Sequence, residues 1–266
     1  MFSDRRSVQR AWDKRFHVER FQYTHDKERL EKILSIIPNN IGSLLDAGCG
    51  DGRILNAVAA KAKEAVGLDV SQEGLDHVAA MRILGTVERL PILDSAFDCV
   101  ICCEVLEHLN DESLSLAVSN ICRASSKYVL ITVPFKEKRE FGQVKCEACL
   151  SIFHGSYHLR SFSLRTLEEL FVEQNYELLN WTTSGRGKYR STFLTKISQV
   201  YADYYPTARE GILCPICGND KVLIKKPRQH LVSAVSELIN RCTGILMPSQ
   251  PLNIIALFRR RGSEEC

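Results

Sequence analysis

Asp46 follows the apolar pair Leu44-Leu45 and precedes three glycines at every second position, Gly48, Gly50 and Gly52. Glycine reaches positive φ and lets a ligand approach the backbone with no Cβ in the way. The run therefore reads as a loop that cradles a nucleotide cofactor. The acid selects among cofactors. A dinucleotide loop must hold a pyrophosphate at a helix N-terminus, and a carboxylate at the strand end repels it. A cofactor carrying an ammonium and a sulfonium is attracted instead. The spacing agrees, since G-x-G-x-G departs from the dinucleotide pattern G-x-G-x-x-G. Asp69 closes the next apolar segment, where an acid can accept from both ribose hydroxyls. Dinucleotide sites share that feature, so Asp69 does not discriminate.

Two further groups of residues can do chemistry. Glu104, Glu107 and His108 follow an apolar stretch, and His154 and His158 lie in F-H-G-S-Y-H-L-R-S-F, residues 153–162. A histidine in either place can serve as general base toward a hydroxyl nucleophile, or can pack or cap a turn. The pairs Cys146/Cys149 and Cys214/Cys217 look like two zinc knuckles. Together they supply a closed four-thiolate site, which is structural because it leaves no position open. The long stretch between the pairs means that they meet only if the two segments fold onto each other. A competing set is Cys146, Cys149, His154 and His158, which would remove His158 from acid–base work.

These residues need a scaffold that brings strand ends together. Strands are predicted at 43–46, 64–69, 82–87, 96–103, 127–133, 176–183 and 252–258, and helices at 52–62, 71–81, 111–123, 163–175, 192–205 and 230–242. Ahead of them, 10–37 reads as one or two amphipathic helices with apolar positions at Phe16, Phe21, Leu30, Ile33, Leu34 and Ile37. Alternating strands and helices predict an α/β fold with a parallel, doubly wound sheet. The mostly apolar run at 96–103 suits a strand buried on both faces.

Composition excludes several classes. Hydrophobic residues make up 45% and charged residues 25% of the 266, ordinary for a globular chain. A net charge of +3 and the lack of a basic aromatic stripe disfavour nucleic acid. Met1–Arg20 has no apolar h-region, and no run approaches the roughly 20 apolar residues of a membrane span. The expected location is the cytoplasm, where paired cysteines suggest metal before disulfide.

In this order the segments resemble the class I S-adenosylmethionine-dependent methyltransferases, type 11 group. The resemblance is carried by L-L-D-A-G-C-G-D-G (44–52), V-G-L-D-V-S (66–71), E-R-L-P (88–91) and F-D-C-V-I-C-C-E-V-L-E-H-L (97–109). It implies a seven-stranded, mostly parallel Rossmann-like sheet with an antiparallel last strand, here with a cysteine-rich insertion. It implies S-adenosylmethionine as cofactor, held by Asp46, Gly48, Cys49, Gly50, Asp69, Val70, Thr86, Val87 and Cys103. Thr86 is a departure, because relatives often carry an aspartate there for the adenine amino group. Candidate catalytic residues are Glu104, His108 and His158, the last in a segment similar to one near the substrate mouth of type 11 members.

The implied organisation is an N-terminal helical cap (1–40), a cofactor-binding core (41–134), a cysteine/histidine loop (135–162), a core helix and strand (163–183), an insertion with the second cysteine pair (184–251), and a last strand and tail (252–266). The expected acceptor is a small molecule or glycan, through oxygen. The alternatives are a nicotinamide-dependent oxidoreductase and a zinc-ribbon protein that modifies nucleic acid.

Overall fold

The computed structural model describes residues 10, 12–13, 26–187, 192–225, 231–246 and 249–263. Its strands are β1 (Ile41–Ala47), β2 (Ala62–Asp69), β3 (Met81–Leu84), β4 (Phe97–Cys103), β5 (Ser125–Pro134), β6 (Gln143–Lys145), β7 (Ile152–His154), β8 (Tyr176–Gly187) and β9 (Gln250–Arg260). Seven of them form one sheet in the order β3-β2-β1-β4-β5-β9-β8. The first five pair in parallel, and β9 runs antiparallel to both β5 and β8.

The period of two along each strand explains why this sheet is buried on both sides. Leu45, Val100, Cys102, Val129, Ile131, Ala256 and Phe258 point into one cluster. Leu44, Cys99, Ile101, Cys103, Leu130, Ile255 and Leu257 point into the other. Helices α4 (Asp111–Ala124) and α5 (Leu164–Val172) cover the first face through Leu114, Val118, Ile121, Leu167 and Phe171. Helices α1 (Asp26–Ile36), α2 (Arg53–Val58) and α3 (Gln72–Leu75) cover the second through Ile33, Leu55, Val58 and Leu75. The strand cysteines act here as small hydrophobes.

Local signals set the helix starts. Asn110 accepts from the Ser113 N–H at 2.8 Å ahead of α4, and Ser163 forms a capping box with Thr166 ahead of α5. Ser71 caps α3 as expected, but that helix ends at Leu75 rather than near residue 81. Gly74 weakens it, and the chain tightens into i→i+3 bonds at His77 and Val78. The third strand is also shorter than 82–87. Among the described residues it is an edge strand held by β2 alone, and it ends where the Gly85 N–H turns to the Asp69 carbonyl at 2.9 Å. Of the predicted N-terminal helices, Phe16 and Phe21 lie outside the described residues, as does His230 in the late insertion.

The chain leaves β1 toward β2 and β3, then returns to β4 on β1's other side. This reversal opens a crevice beyond the carboxyl ends of β1 and β4, the place where such sheets bind ligands. A satellite unit stands beside it. The β6–β7 hairpin packs Val144, Cys146, Phe153 and Tyr157 against Ile212, Cys214 and Val222. The latter three belong to the insertion, which leaves the main sheet where Gly187 pairs with Gln250. That insertion carries α6 (Thr192–Ala202) and α7 (Leu231–Leu246). No helix among the described residues is long and apolar enough to cross a membrane.

Candidate active site

At the carboxyl end of β1 the glycine loop adopts the conformation its composition predicts. Gly48, Gly50 and Gly52 have φ of 92°, 56° and 74°. A Cβ on Gly48 would collide with Val105 Cγ2, so this position excludes any side chain. The N–H groups of Gly48 and Cys49 donate to the Leu68 carbonyl at 2.7 and 2.9 Å, folding the loop over the end of β2. The Asp69 carboxylate accepts from Gly50 N–H on Oδ2 and from Ser71 N–H on Oδ1, both at 2.8 Å. A carboxylate has about four acceptor sites, so capacity is left for a ribose hydroxyl.

Asp46 is 1% exposed, and its Oδ1 has no hydrogen-bond partner among the described residues. Burial, followed by the charge of Asp69, pushes its pKa well above the ordinary carboxylate value. Burial also raises Asp69, against the N–H groups of Ser71, Gly50 and Val70. An orphaned buried acceptor beside a backbone cradle is what a cofactor ammonium requires, so the residues fit S-adenosylmethionine. Cys49 and Cys103 line this end with little exposure. Val87 has its side chain in the core, and Thr86 is half-buried just before it. Asp13 closes the far side: its Oδ1 accepts from Ser71 Oγ at 2.5 Å.

Beyond β4 the backbone turns sharply, with Glu104 at φ 57°. Its carboxylate accepts from Thr132 Oγ1 on one oxygen and from Asn253 Nδ2 on the other, each at 2.9 Å. Arg29 lies 3.2 Å away. Glu104 thus ties α1, β5 and β9 to the turn. Glu107 is 0% exposed, and neither carboxylate oxygen has a hydrogen-bond partner among the described residues. Burial, then the charge of Glu104, raises its pKa well above the usual range.

The loop after β5 comes to the same place. The Leu159 N–H donates to the Glu107 carbonyl at 2.7 Å. Arg160 donates to the Leu109 carbonyl and reaches Asp111 at 2.8 Å. His158 Nδ1 lies 2.6 Å from Glu137 Oε2, and the His108 and His158 rings meet edge to face at 5.0 Å. His154 Nδ1 accepts from the N–H groups of Ser156 and His158. In the neutral ring its proton therefore sits on Nε2, 3.6 Å from Glu137 Oε1. Burial opposes the charge on Glu137, but the His158 hydrogen bond and both histidines outweigh it and lower its pKa. Trp12 stands over His108 with centroids 4.7 Å apart.

Residues 45–127 match a methyltransferase-domain family, type 11. Over that segment the chain is similar to methyltransferases. It is 28% identical over 164 residues to the ubiquinone biosynthesis O-methyltransferase of Vibrio atlanticus, covering 56% of this chain and 69% of that one. It is 26% identical over 137 residues to an uncharacterized protein of Methanocaldococcus jannaschii and spans 59% of that relative's length, using 51% of its own. The fold is shared with the 1,6-didemethyltoxoflavin-N1-methyltransferase of Burkholderia thailandensis, solved with S-adenosylhomocysteine. That likeness has a TM-score of 0.53 at 13% identity, over 68% of this chain and 81% of that one.

The matched region of this chain stops short of both C-x-x-C pairs. The structure nevertheless brings them together. The Sγ atoms of Cys146 and Cys217 are 3.6 Å apart, as are those of Cys149 and Cys214, and all four lie within 4.8 Å of one another. A tetrahedron with Zn–S of about 2.3 Å has an edge of about 3.8 Å. The Ser151 hydroxyl and N–H hold the Cys149 thiol down at about 6. His154 and His158 lie with Glu137 instead, so the mixed cysteine/histidine set is not assembled.

Several residues of the candidate site carry no sequence signal of their own. Asp13, Arg29, Thr132, Glu137 and Asn253 come from segments far apart in the chain and belong to no motif. For Glu137 the one available signal is its place just after the Pro134 stop, at the carboxyl edge of the sheet.

Proposed function

We propose that this protein transfers a methyl group from S-adenosylmethionine to an oxygen nucleophile on a small molecule or glycan, in the cytoplasm. The observation that carries the reading is the buried Asp46 carboxylate with an unpaired oxygen beside the positive-φ glycine loop. It is poised for a cation and hostile to a pyrophosphate. Asp46 takes the cofactor ammonium, and the backbone of Gly48, Cys49, Gly50 and Cys103 borders the methionine moiety. Asp69 and Val70 face the ribose, and Thr86 and Val87 the adenine. When bound, the cofactor supplies a methyl group already activated by its sulfonium.

What the chain must add is alignment, which is worth roughly 7–11 kcal/mol in well-oriented reactions. Glu104 holds the turn after β4 through Thr132, Asn253 and Arg29. His108 and His158 then stand together as the groups that hold the acceptor hydroxyl and draw off its proton. The four cysteines hold a structural zinc ion that ties the loop after β5 to the late insertion. Calorimetry with S-adenosylhomocysteine and with NAD tests the cofactor reading. Binding of the former alone is expected, and binding of NAD alone would overturn it. For zinc, one ion per chain is expected in the purified protein and none in Cys214→Ser/Cys217→Ser. Metal-free wild-type protein of unchanged stability would remove the zinc.

A further inference from the structure

Glu107, His108 and His158 each offer a ligand atom, and these atoms lie within 4.8 Å of one another. We infer that they form a second metal centre, a divalent-cation site between the end of β4 and the loop after β5. It is separate from the four thiolates and lies at the carboxyl edge of the sheet, where it would face the proposed acceptor.

Three observations support it. First, Glu107 is fully buried, and neither oxygen has a hydrogen-bond partner among the described residues. Burying a carboxylate with no hydrogen-bonded partner is costly, and here Glu104 and Glu137 add further acids at the same end of the sheet. Second, His108 Nε2 is already 3.8 Å from Glu107 Oε1, so a small inward movement of either side chain closes on an ion. Third, His158 shows the arrangement that orients ligating histidines. Its Nδ1 meets the Glu137 carboxylate at 2.6 Å, which directs Nε2 away from Glu137 and fixes the ring's orientation. His154 braces that carboxylate from the far side. Its own Nδ1 is occupied by two backbone N–H groups, so it serves as support and not as a ligand.

Two histidines and one carboxylate are a donor set for zinc or a neighbouring first-row divalent ion. Three protein ligands leave at least one position open. The chemistry that fits it is an oxygen donor of the acceptor. This rests on the proposed function for the acceptor and changes how its proton leaves: His108 and His158 hold the ion, the ion's charge favours the ionised hydroxyl, and the proton passes to solvent.

The test is a Co2+ titration of the purified full-length chain with zinc retained on its thiolates, read by absorption and by bound metal. One further Co2+ per chain is expected, with ligand-field bands and no thiolate charge-transfer absorption. His158→Ala and Glu107→Gln should each weaken uptake at least 100-fold, and Glu137→Gln, which only orients, roughly 10- to 100-fold. S-adenosylhomocysteine affinity should change less than threefold in all three. Glu107→Gln decides the matter, because it mimics a neutral buried acid. Co2+ uptake unchanged by that substitution overturns the site, as does no uptake while S-adenosylhomocysteine still binds. Loss of S-adenosylhomocysteine binding from wild type with Co2+ uptake intact leaves the site standing and sinks the methyltransferase reading instead.

Discussion

Replacing Asp46 by Asn should move cofactor affinity and stability in opposite directions. Asp46 is 1% exposed, with Oδ1 unpartnered among the described residues. The cofactor ammonium is proposed to complete it. A charge-assisted hydrogen bond is worth about 1.5–3 kcal/mol, so the variant should bind S-adenosylhomocysteine roughly 10- to 150-fold more weakly. Without cofactor the same carboxylate is a liability, because an unsatisfied buried polar group costs about 1–3 kcal/mol. The empty variant should therefore melt higher, by about 2–4 °C per kcal/mol for a chain of this size.

The pH dependence follows from the sign of the shift. Folding raises the Asp46 pKa, chiefly by burial. Its stabilising contribution is fully present below the unfolded value of about 4 and is lost as pH climbs to the raised folded value. The Asp46→Asn variant has no such loss, so its advantage in melting temperature should grow from acid toward neutral pH. Scanning calorimetry with and without S-adenosylhomocysteine, together with binding titrations at several pH values, measures all of this. An Asn variant that binds S-adenosylhomocysteine as tightly as wild type would refute the role given to Asp46. A variant less stable than wild type in the empty state would refute the claim that its oxygen is uncompensated.

Gly48→Ala forces a Cβ into Val105 and a side chain onto φ 92°, so S-adenosylhomocysteine binding should fall at least tenfold by calorimetry. Tyr176→Phe removes a buried hydroxyl that donates toward the carbonyls of Cys122 and Ser125. Urea unfolding should show a loss of about 0.5–1.5 kcal/mol with cofactor affinity unchanged. Ser163→Ala breaks the capping box ahead of α5 and should cost about 1 kcal/mol by the same measurement. Glu137 has its pKa lowered by the histidines despite burial. Its contribution is present above the ordinary glutamate value and lost as pH falls through the lowered one. Glu137→Gln should therefore lower the melting temperature at pH 7, with the gap closing toward pH 3.

The cofactor half of this protein was legible in the sequence because its signals are local. Leu44 to Gly52, Asp69 and the turn after Cys103 each follow the end of an apolar strand. A strand's period of two sends its neighbouring residues to two buried faces regardless of what lies elsewhere in the chain. The same locality produces small errors: the pattern places Thr86 and Val87 in a strand, but an edge strand with one partner ends at Leu84 once Gly85 turns to Asp69. The acceptor half was not legible. Whether Cys146 and Cys149 meet Cys214 and Cys217 across more than sixty residues, or join His154 and His158, depends on how the insertion folds back onto the β6–β7 hairpin. That is a choice made by packing Val144, Phe153, Ile212 and Val222 together. Likewise Glu104 reads in sequence as a candidate catalytic residue, and only the structure reveals its contacts with Thr132, Asn253 and Arg29. The sequence by itself determined the sheet and the glycine loop, and with them the proposed kind of cofactor, since these rest on periodicity and backbone conformation. Tertiary structure alone decided which histidines and acids share a site. Their convergence rests on contacts between segments that no local rule connects.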